Sequence, residues 1–373
     1  MISKSNATAD SLPRFTFARR FASGFSFRRG VSQRGLSKQG LAAAIVLALA
    51  TACAPDAPPP PALPKLQLDP ARVTVSGLSS GAYMAQQLHL AYSDRIAGAA
   101  LLAGGPYGCA QGDLRTALAQ CTAPADVLIP DLVPLVADVQ ARAGDGRLAP
   151  LEGLRGDRVW VYRGNVDDIV AQQVSAAAAE MYEQLNAGVS LTRKFDLPYA
   201  HLLPTAAPGD DCSKTEAPYI ARCGFDAAGE VFKALYDTAQ PADQTSGELS
   251  LFDQRPYATD PSSPPGADSG YVYVPAACAK KESCGLHIAL HGCEQSSEVI
   301  GDMFANRGGF NRWADAAKVV VLYPQTQSSL SPLNPKGCWD WWGYTGPEFD
   351  TRDGAQMRWI ARMAAGLGVE LVE

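Results

Sequence analysis

Short apolar runs rich in β-branched residues recur along the chain after residue 70, and longer stretches with helical periodicity follow several of them. Runs of the first kind indicate buried strands, and the longer periodicity indicates helices. The runs predict strands at Val73–Ser76, Ile96–Ala103, Arg158–Arg163, Val189–Leu197, Gly270–Val274, Leu286–Leu290 and Val319–Tyr323. The longer pattern predicts helices at Ala82–Tyr92, Ala171–Leu185, Phe310–Ala317 and Gly354–Gly366. Because strands and helices mostly alternate, we expect an α/β fold with a mainly parallel sheet and helices on both faces.

The stretch from Thr205 to Pro265 departs from this pattern because it is rich in Pro, Gly, Asp and Ser. Such a composition is typical of loops, and we expect a surface excursion held by a disulfide. The sequence shows no internal repeat and no second type of composition. Residues 69–373 are therefore predicted to form a single domain, which is long but ordinary for an α/β fold.

The first 52 residues have the pattern of a signal peptide. Eight basic residues and one acidic residue precede an apolar run at 41–52, which is shorter than the roughly 20 residues of a membrane span. Two alternatives stay open at its end: a lipobox in which Cys53 is lipidated and tethers the protein to a membrane, or simple cleavage after Ala52. The Pro-rich residues 53–68 are expected to form an extended tether. Both alternatives predict export, either to the extracellular space or to the outer envelope.

The net charge of the predicted signal peptide differs from that of the rest of the chain. Beyond residue 52 the chain carries 24 basic and 37 acidic side chains, a net charge of −13. This acidity argues against nucleic acids and other polyanions as partners. The sequence also has no Cys-x-x-Cys or His-x-His cluster and no Gly-rich loop after a strand, so we expect neither a metal nor a cofactor.

A Gly-x-Ser-x-Gly motif at Gly77–Gly81 stands between a predicted strand and a predicted helix. This context is typical of a nucleophile elbow, in which a sharp turn holds the serine at its tip. The glycines leave room for the turn, since a Cβ would crowd the neighbouring backbone. The motif predicts Ser79 as a nucleophile at the start of a helix.

A nucleophilic serine needs a base and a group that orients the base, and the chain has four histidines. His89 falls in a predicted helix and His287 in an apolar strand, so both are expected to be packing residues. His201 follows a strand in a Pro-bounded loop, which makes it the candidate base. Asp167 is the candidate acid at another strand end, with Asp168 as the competing acid or as a helix cap.

The order serine, aspartate, histidine is that of α/β-hydrolases, but the expected oxyanion loop is displaced. In those enzymes a His-Gly loop precedes the nucleophile, whereas here His291–Cys293 follows it far downstream, after a predicted strand. The simplest explanation is a circular permutation, which neighbouring chain termini make tolerable. On this interpretation the N–H groups of Ser80 and Cys293 form the oxyanion hole, and His291 supports its loop.

These motifs resemble those of the secreted poly(3-hydroxybutyrate) depolymerases, whose catalytic domain is a circularly permuted α/β-hydrolase. The resemblance runs from about residue 70 to 365 and rests on Gly77–Met84, Gly164–Asp167, His201–Thr205, His291–Cys293 and Gly337–Trp342. It implies a serine esterase that acts on a polyester of 3-hydroxy acids or on its oligomers. The residues implied are the triad Ser79, Asp167 and His201, the oxyanion donors Ser80 and Cys293, and one crevice-lining tryptophan among Trp339, Trp341 and Trp342.

Two other functions remain open at this stage. A secreted carboxylesterase acting on feruloyl, acetyl or acyl-lipid esters would keep the triad and change only the crevice. A non-catalytic lipoprotein that binds a polyester or glycan is disfavoured because all three triad residue types are present. Crystalline polymer, amorphous polymer and soluble oligomers are equally open as substrates, and the oligomeric state is not predicted.

Eight cysteines remain when Cys53 is set aside, which suits four disulfides in an oxidising compartment. Sequence alone does not fix their connectivity. Local spacing favours Cys109–Cys121, Cys212–Cys223 and Cys278–Cys284, which leaves Cys293 and Cys338 for each other. This last bond would tie the oxyanion loop to the tryptophan segment.

Overall fold

The structure is a computed structural model that describes residues 58–122 and 130–372. The predicted signal peptide at 1–52 and the lipidation candidate Cys53 lie outside the described residues. The described residues form one compact unit. The predicted division of the chain at residues 52 and 68 therefore stays a prediction.

An eight-stranded sheet lies at the centre of the described chain, in the order β4-β3-β2-β1-β9-β10-β8-β7. All neighbours from β4 to β10 are parallel, and β8 and β7 extend one edge by antiparallel pairing. Two small pairs, β5 with β6 and β11 with β12, lie outside it. The strands are β1 (Leu68–Leu78), β2 (Gly98–Leu102), β3 (Arg158–Tyr162), β4 (Ser190–Lys194), β5 (Leu203–Thr205), β6 (Ile220–Arg222), β7 (Glu248–Asp253), β8 (Ser269–Val274), β9 (Cys284–Leu290), β10 (Val319–Tyr323), β11 (Ser329–Leu330) and β12 (Leu333–Asn334).

Helices of very different length connect these strands. Within the described ranges none of them is both long enough and apolar enough to cross a membrane. The α-helices are α1 (Ser80–Ala91), α2 (Leu114–Thr116), α3 (Leu132–Gly144), α4 (Gln172–Leu185), α5 (Ala227–Tyr236), α6 (Ala276–Ala279), α7 (Ser297–Ile300), α8 (Met303–Arg307), α9 (Phe310–Ala317) and α10 (Ala355–Leu367). A π-helical turn covers Ala117–Cys121, and 3₁₀ turns cover Leu151–Leu154 and Arg255–Tyr257.

The two faces of the sheet carry separate apolar cores. Strand β10 shows the division, because Val320 and Leu322 join one core whereas Val319, Val321 and Tyr323 join the other, as the twofold alternation of a strand requires. Helices α1, α3, α4 and α10 cover the first face, and α5, α8 and α9 cover the second. The predicted parallel sheet with helices on both faces is therefore present.

The prediction for Thr205–Pro265 was wrong in part, because this stretch supplies both a core helix and an edge strand. Helix α5 buries Val231 and Phe232 against the sheet, and β7 pairs along its whole length with β8. Pro, Gly and Ser residues flank these elements and dominate the composition of the stretch. The apolar patterns of the helix and the strand are short, so the composition alone did not indicate them. The disulfide-held excursion is confined to the part around β5 and β6.

The second part of the predicted tether packs against the domain. The carbonyl oxygen of Pro61 accepts a hydrogen bond from Asp253 N–H at 2.9 Å, and Leu66 N–H donates to Leu367 O at 2.8 Å. Leu63 is buried between these points. We therefore propose a free tether only for the residues that precede Pro61.

Candidate active site

The candidate site lies at the carboxyl edge of the parallel strands, where ligands of open α/β sheets bind. Ser79 follows β1, Asp167 follows β3, His201 follows β4 and Cys293 follows β9. Strands β1 and β9 are neighbours although β9 comes far later in the chain. The nucleophile turn and the predicted oxyanion loop therefore emerge side by side, as a circular permutation requires.

Ser79 occupies the tip of a sharp turn between β1 and α1. Its φ of 56° and ψ of −120° are costly for a residue with a side chain, and surrounding contacts must hold them. Its N–H donates to Leu102 O at 2.8 Å. A Cβ on Gly77 would lie 2.1 Å from Gly81 O, and one on Gly81 would lie 2.4 Å from Leu290 O. Both glycines are therefore needed for the predicted elbow geometry.

His201 and Asp167 form a buried pair. His201 Nδ1 lies 2.8 Å from Asp167 Oδ2, and both residues are less than a tenth exposed. The second carboxylate oxygen of Asp167 accepts the N–H groups of Ile169 and Val170, both at 2.9 Å. These bonds fix the carboxylate, which in turn fixes the imidazole so that Nε2 is the free ring nitrogen.

The competing acid, Asp168, has a different contact. It is exposed and accepts a hydrogen bond from the Thr215 hydroxyl. The hydroxyl oxygen of Thr215 also accepts the backbone N–H of His201 at 3.1 Å. Asp168 therefore supports the loop of the histidine, whereas Asp167 contacts the ring.

Arg163 is a site residue that the sequence analysis missed. Its buried guanidinium donates from Nε to Val170 O at 2.8 Å and from Nη2 to Asp167 O at 2.6 Å. Burial lowers the pKa of Arg163 from its ordinary value, and the charge of Asp167 opposes this shift. The arginine closes the turn that presents the acid, and its place at the end of a predicted strand gave no signal of this contact.

The two backbone N–H groups predicted to form the oxyanion hole, those of Ser80 and Cys293, have no hydrogen-bond partner among the described residues. The neighbouring Gly292 N–H is bound by Gln295 Oε1 at 2.8 Å. Gln295 Nε2 in turn donates to Pro218 O at 2.9 Å. The loop is thus held by Gln295, and Ser80 and Cys293 keep donors available for a ligand.

His291 is fully buried beside this loop. Its Nδ1 lies 2.7 Å from Gly292 O, and its Nε2 accepts the N–H of Thr326 at 3.2 Å. Burial lowers the pKa of His291 to about 4, partly opposed by the bond to Gly292 O, so the ring is neutral at pH 7. Both ring nitrogens are occupied, and His291 supports the loop as expected.

A cavity of about 410 Å³ brings Ser79 and His201 together with Gly292 and Cys293. Apolar side chains dominate its wall, and Leu118, Ile169 and Leu333 in that wall are exposed. Trp341 and Trp342 both line it. Trp339 does not, and it is ruled out as a crevice residue: its side chain lies in the core, where its ring centroid is 5.5 Å from that of His291. The expectation of a single crevice-lining tryptophan among the three was therefore wrong, since two of them line the cavity.

Trp341 is held in the cavity wall by Tyr83. The two rings stack with centroids 4.4 Å apart, and the Tyr83 hydroxyl donates to Cys121 O. Burial, and then the charge of Asp167, raise the pKa of Tyr83, which keeps that hydroxyl protonated. The Nε1 atoms of Trp341 and Trp339 are buried and have no partner among the described atoms.

Known proteins resemble this chain over most of its length. A "Poly(3-hydroxybutyrate) depolymerase" of Delftia acidovorans is 36% identical over 81% of this chain, which spans 60% of that protein. A "Polyhydroxybutyrate depolymerase" of Talaromyces funiculosus is 33% identical over 79% of this chain and 89% of its own length. The chain belongs to the PHB depolymerase family. No protein-family model matches it.

A solved structure supports the same relationship. A serine-to-alanine variant of a PHB depolymerase, complexed with an R3HB trimer, has a TM-score of 0.73 and 32% identity and covers 82% of this chain and 99% of its own. This likeness confirms the predicted α/β-hydrolase fold. It also confirms the resemblance on which the sequence analysis rested.

Four disulfides brace the loops of this family member. They join described residues: Cys109 to Cys121, Cys212 to Cys223, Cys278 to Cys284 and Cys293 to Cys338. The first three are the pairs that local spacing favoured, and the fourth is the pair that this left. The last one connects the oxyanion loop to the tryptophan segment across a Cα–Cα distance of 4.2 Å. The second holds the excursion whose Cys212 O accepts the N–H of Ala200, next to His201, at 2.8 Å.

Proposed function

We propose that this protein is a serine esterase that hydrolyses poly(3-hydroxybutyrate), or related polyesters and their oligomers, through an acyl-enzyme. The observation that carries the proposal is the apolar cavity in which Ser79 lies with the buried pair His201–Asp167. The family relationship supplies the ester class of the substrate. The cavity supplies a place for an extended apolar chain.

The proposed roles are supported by the buried pair of His201 and Asp167. His201 Nε2 takes the proton of Ser79 as its Oγ attacks the ester carbonyl, and Asp167 stabilises the imidazolium through Nδ1–H. The tetrahedral intermediate collapses when the imidazolium protonates the leaving alkoxide, which releases one part of the polyester as an alcohol. Water then attacks the acyl-enzyme, gives its proton to His201, and frees the 3-hydroxyacyl group as an acid.

The oxyanion would be bound by the N–H groups of Ser80 and Cys293. Each such donor typically stabilises the transition state by about 3 kcal/mol. The fixed loop matters here, because donors that are already oriented need no rearrangement as charge develops. Gln295 and His291 supply that orientation.

The crevice wall suits a chain that alternates apolar backbone with ester carbonyls. The buried indole N–H of Trp341 has no partner among the described residues, although buried polar groups are normally paired. We assign a substrate ester carbonyl as its acceptor. Three exposed apolar side chains line the same cavity, namely Leu118, Ile169 and Leu333. They favour contact with an apolar polymer surface.

Export is part of this proposal. Four disulfides form and persist in oxidising compartments, and the substrate is too large to enter a cell. Residues 1–52 would direct the export, residues 69–373 would form the catalytic domain, and a lipidated Cys53 would anchor the enzyme to the outer envelope. Globomycin, which blocks lipoprotein processing, tests the anchor: accumulation of an unprocessed form supports it, and unchanged release of soluble protein contradicts it.

A turbidity assay tests the activity. The purified protein should clear a suspension of amorphous poly(3-hydroxybutyrate) and release hydroxybutyrate or its oligomers, whereas Ser79→Ala should not. Ferulate release from a model ester without any clearing would favour the carboxylesterase alternative. Clearing by Ser79→Ala at the wild-type rate would contradict the assignment of the nucleophile.

A further inference from the structure

A fully buried carboxylate lies between the core tryptophan and the two crevice tryptophans. Asp340 is 0% exposed, and five hydrogen bonds converge on its side chain. Oδ1 accepts the backbone N–H groups of Trp342, Gly343 and Tyr344 at 3.2, 2.7 and 3.0 Å. Oδ2 accepts the N–H of Thr345 at 2.7 Å and its hydroxyl at 2.6 Å. One side chain therefore orders the whole turn that follows it.

The backbone of Asp340 is tied to two helices. Its N–H donates to Gln356 Oε1 on α10 at 2.8 Å, and its C=O accepts from Gln87 Nε2 on α1 at 3.1 Å. Helix α1 is the helix that begins immediately after Ser79. The tryptophan turn is thus fixed relative to the nucleophile through Asp340.

The turn also has apolar anchorage, because Trp341 and Trp342 pack with Tyr83 in a small hydrophobic cluster. Trp341 and Trp342 expose one side to the cavity, and their rings contact each other edge to face at 5.6 Å. A carboxylate that accepts five donors can be replaced by an apolar or amide group only if some of those donors lose their partners. The expected consequence is a change in where the two rings lie.

We propose that Asp340 is a positioning residue for the substrate crevice: its carboxylate holds Trp341 and Trp342 where they contact the polyester chain. The inference rests on the proposed function, since it concerns the crevice of that same site. Asp340 does not touch the reacting atoms, and its effect reaches the substrate only through the two tryptophans.

The test compares Asp340→Asn with wild type on two substrates. p-Nitrophenyl acetate needs the triad but little of the crevice, whereas a 3-hydroxybutyrate trimer needs both. The amide presents N–H where Thr345 also donates, so the turn must rearrange. We expect KM for the trimer to rise about tenfold, as for the loss of a bond to a charged group, with kcat on p-nitrophenyl acetate within about twofold of wild type.

Asp226→Asn is the matched control. Asp226 also orders a tryptophan by accepting a backbone N–H, from Gly229 at 2.9 Å, and an indole N–H, from Trp313 at 2.9 Å. Asp226 caps helix α5, which packs on the face of the sheet opposite to that of Trp339. Its replacement should lower the melting temperature and leave KM for the trimer unchanged.

A second variant covers the case in which Asp340→Asn does not fold. Thr345→Val deletes only the hydroxyl donor and should raise KM for the trimer in the same direction by a smaller factor. Unchanged KM in the folded variants, with only a lower melting temperature, would make Asp340 a purely structural residue and overturn the inference. A wild-type protein that hydrolyses neither substrate would instead overturn the proposed function.

Discussion

The ring of Tyr83 stacks on that of Trp341 with 4.4 Å between centroids, and Tyr83 lies one helical turn after Ser79. Helix α1 therefore begins directly after the proposed nucleophile and supports a wall of the cavity from its first turn. Its buried Gln87 also holds the backbone of Asp340. In the proposed function, chemistry and substrate binding thus share one helix, which limits how far either can shift relative to the other.

Trp341→Phe tests the assigned contact between the indole and a substrate carbonyl. The change keeps an aromatic ring against Tyr83 and removes the indole N–H together with part of the bicyclic ring, a loss that Trp339→Phe shares. We expect KM for a 3-hydroxybutyrate trimer to rise roughly fivefold, the effect of about 1 kcal/mol from one neutral hydrogen bond, with little change in hydrolysis of p-nitrophenyl acetate. Trp339→Phe removes an equally unpaired indole N–H outside the cavity, and an equal effect there would argue against the assignment.

Asp167→Asn tests the choice between the two adjacent acids. The amide cannot hold the imidazole in the reactive tautomer, and comparable replacements lower kcat by about 10⁴-fold. Asp168→Asn leaves the hydrogen bond between Asp167 and the His201 ring in place, so kcat should stay within about tenfold of the wild-type value. Steady-state kinetics on a soluble ester measures both, and the reverse order of effects would assign the acid role to Asp168.

The Cys293–Cys338 disulfide is predicted to matter for catalysis as well as for stability. Replacing both cysteines by serine should lower kcat, because the loop that carries Cys293 N–H loses its connection to the tryptophan segment. Replacing Cys278 and Cys284, whose bond lies at the opposite end of β9, should lower the melting temperature only. Equal kcat in the two double variants would show that the oxyanion loop does not depend on the bridge.

Buried histidines should make the protein less stable in mild acid. Burial lowers the pKa of His287 to about 3, whereas the unfolded chain takes up the proton near pH 6.5. A depressed folded-state pKa of a histidine means that stability falls as the pH drops below about 6.5, by roughly 2 kcal/mol per such site between pH 7 and 5. His287→Asn should therefore show a smaller loss in urea unfolding over this interval, and identical pH slopes would contradict the prediction.

Local patterns were sufficient for the elements that carry the triad. The motif around Ser79 predicted the elbow because backbone approaches dictate its glycines: Gly77 lies against Gly81 O within the motif, and Gly81 lies against Leu290 O of β9. The order of the motifs then predicted the permutation, and β9 beside β1 explains why His291–Cys293 could be displaced in the chain yet adjacent in space.

Long-range contacts were what the sequence could not predict. Arg163 acts on the acid turn through bonds that depend on how that turn folds back. Trp339 and Trp341 have similar sequence surroundings, and they are distinguished by long-range packing: Trp341 stacks on Tyr83, whereas Trp339 packs beside His291. Helix α5 was missed because its apolar face is short and its partners, such as Trp313, lie far along the chain.

Fluorophosphonate labelling followed by peptide mapping tests the central claim most directly. The claim is that Ser79, activated by His201 and Asp167, attacks esters bound in the crevice. We predict a single adduct on Ser79, slowed by a 3-hydroxybutyrate trimer and lost in His201→Ala. An adduct on another serine, no adduct, or labelling at the same rate with and without the trimer would contradict the account.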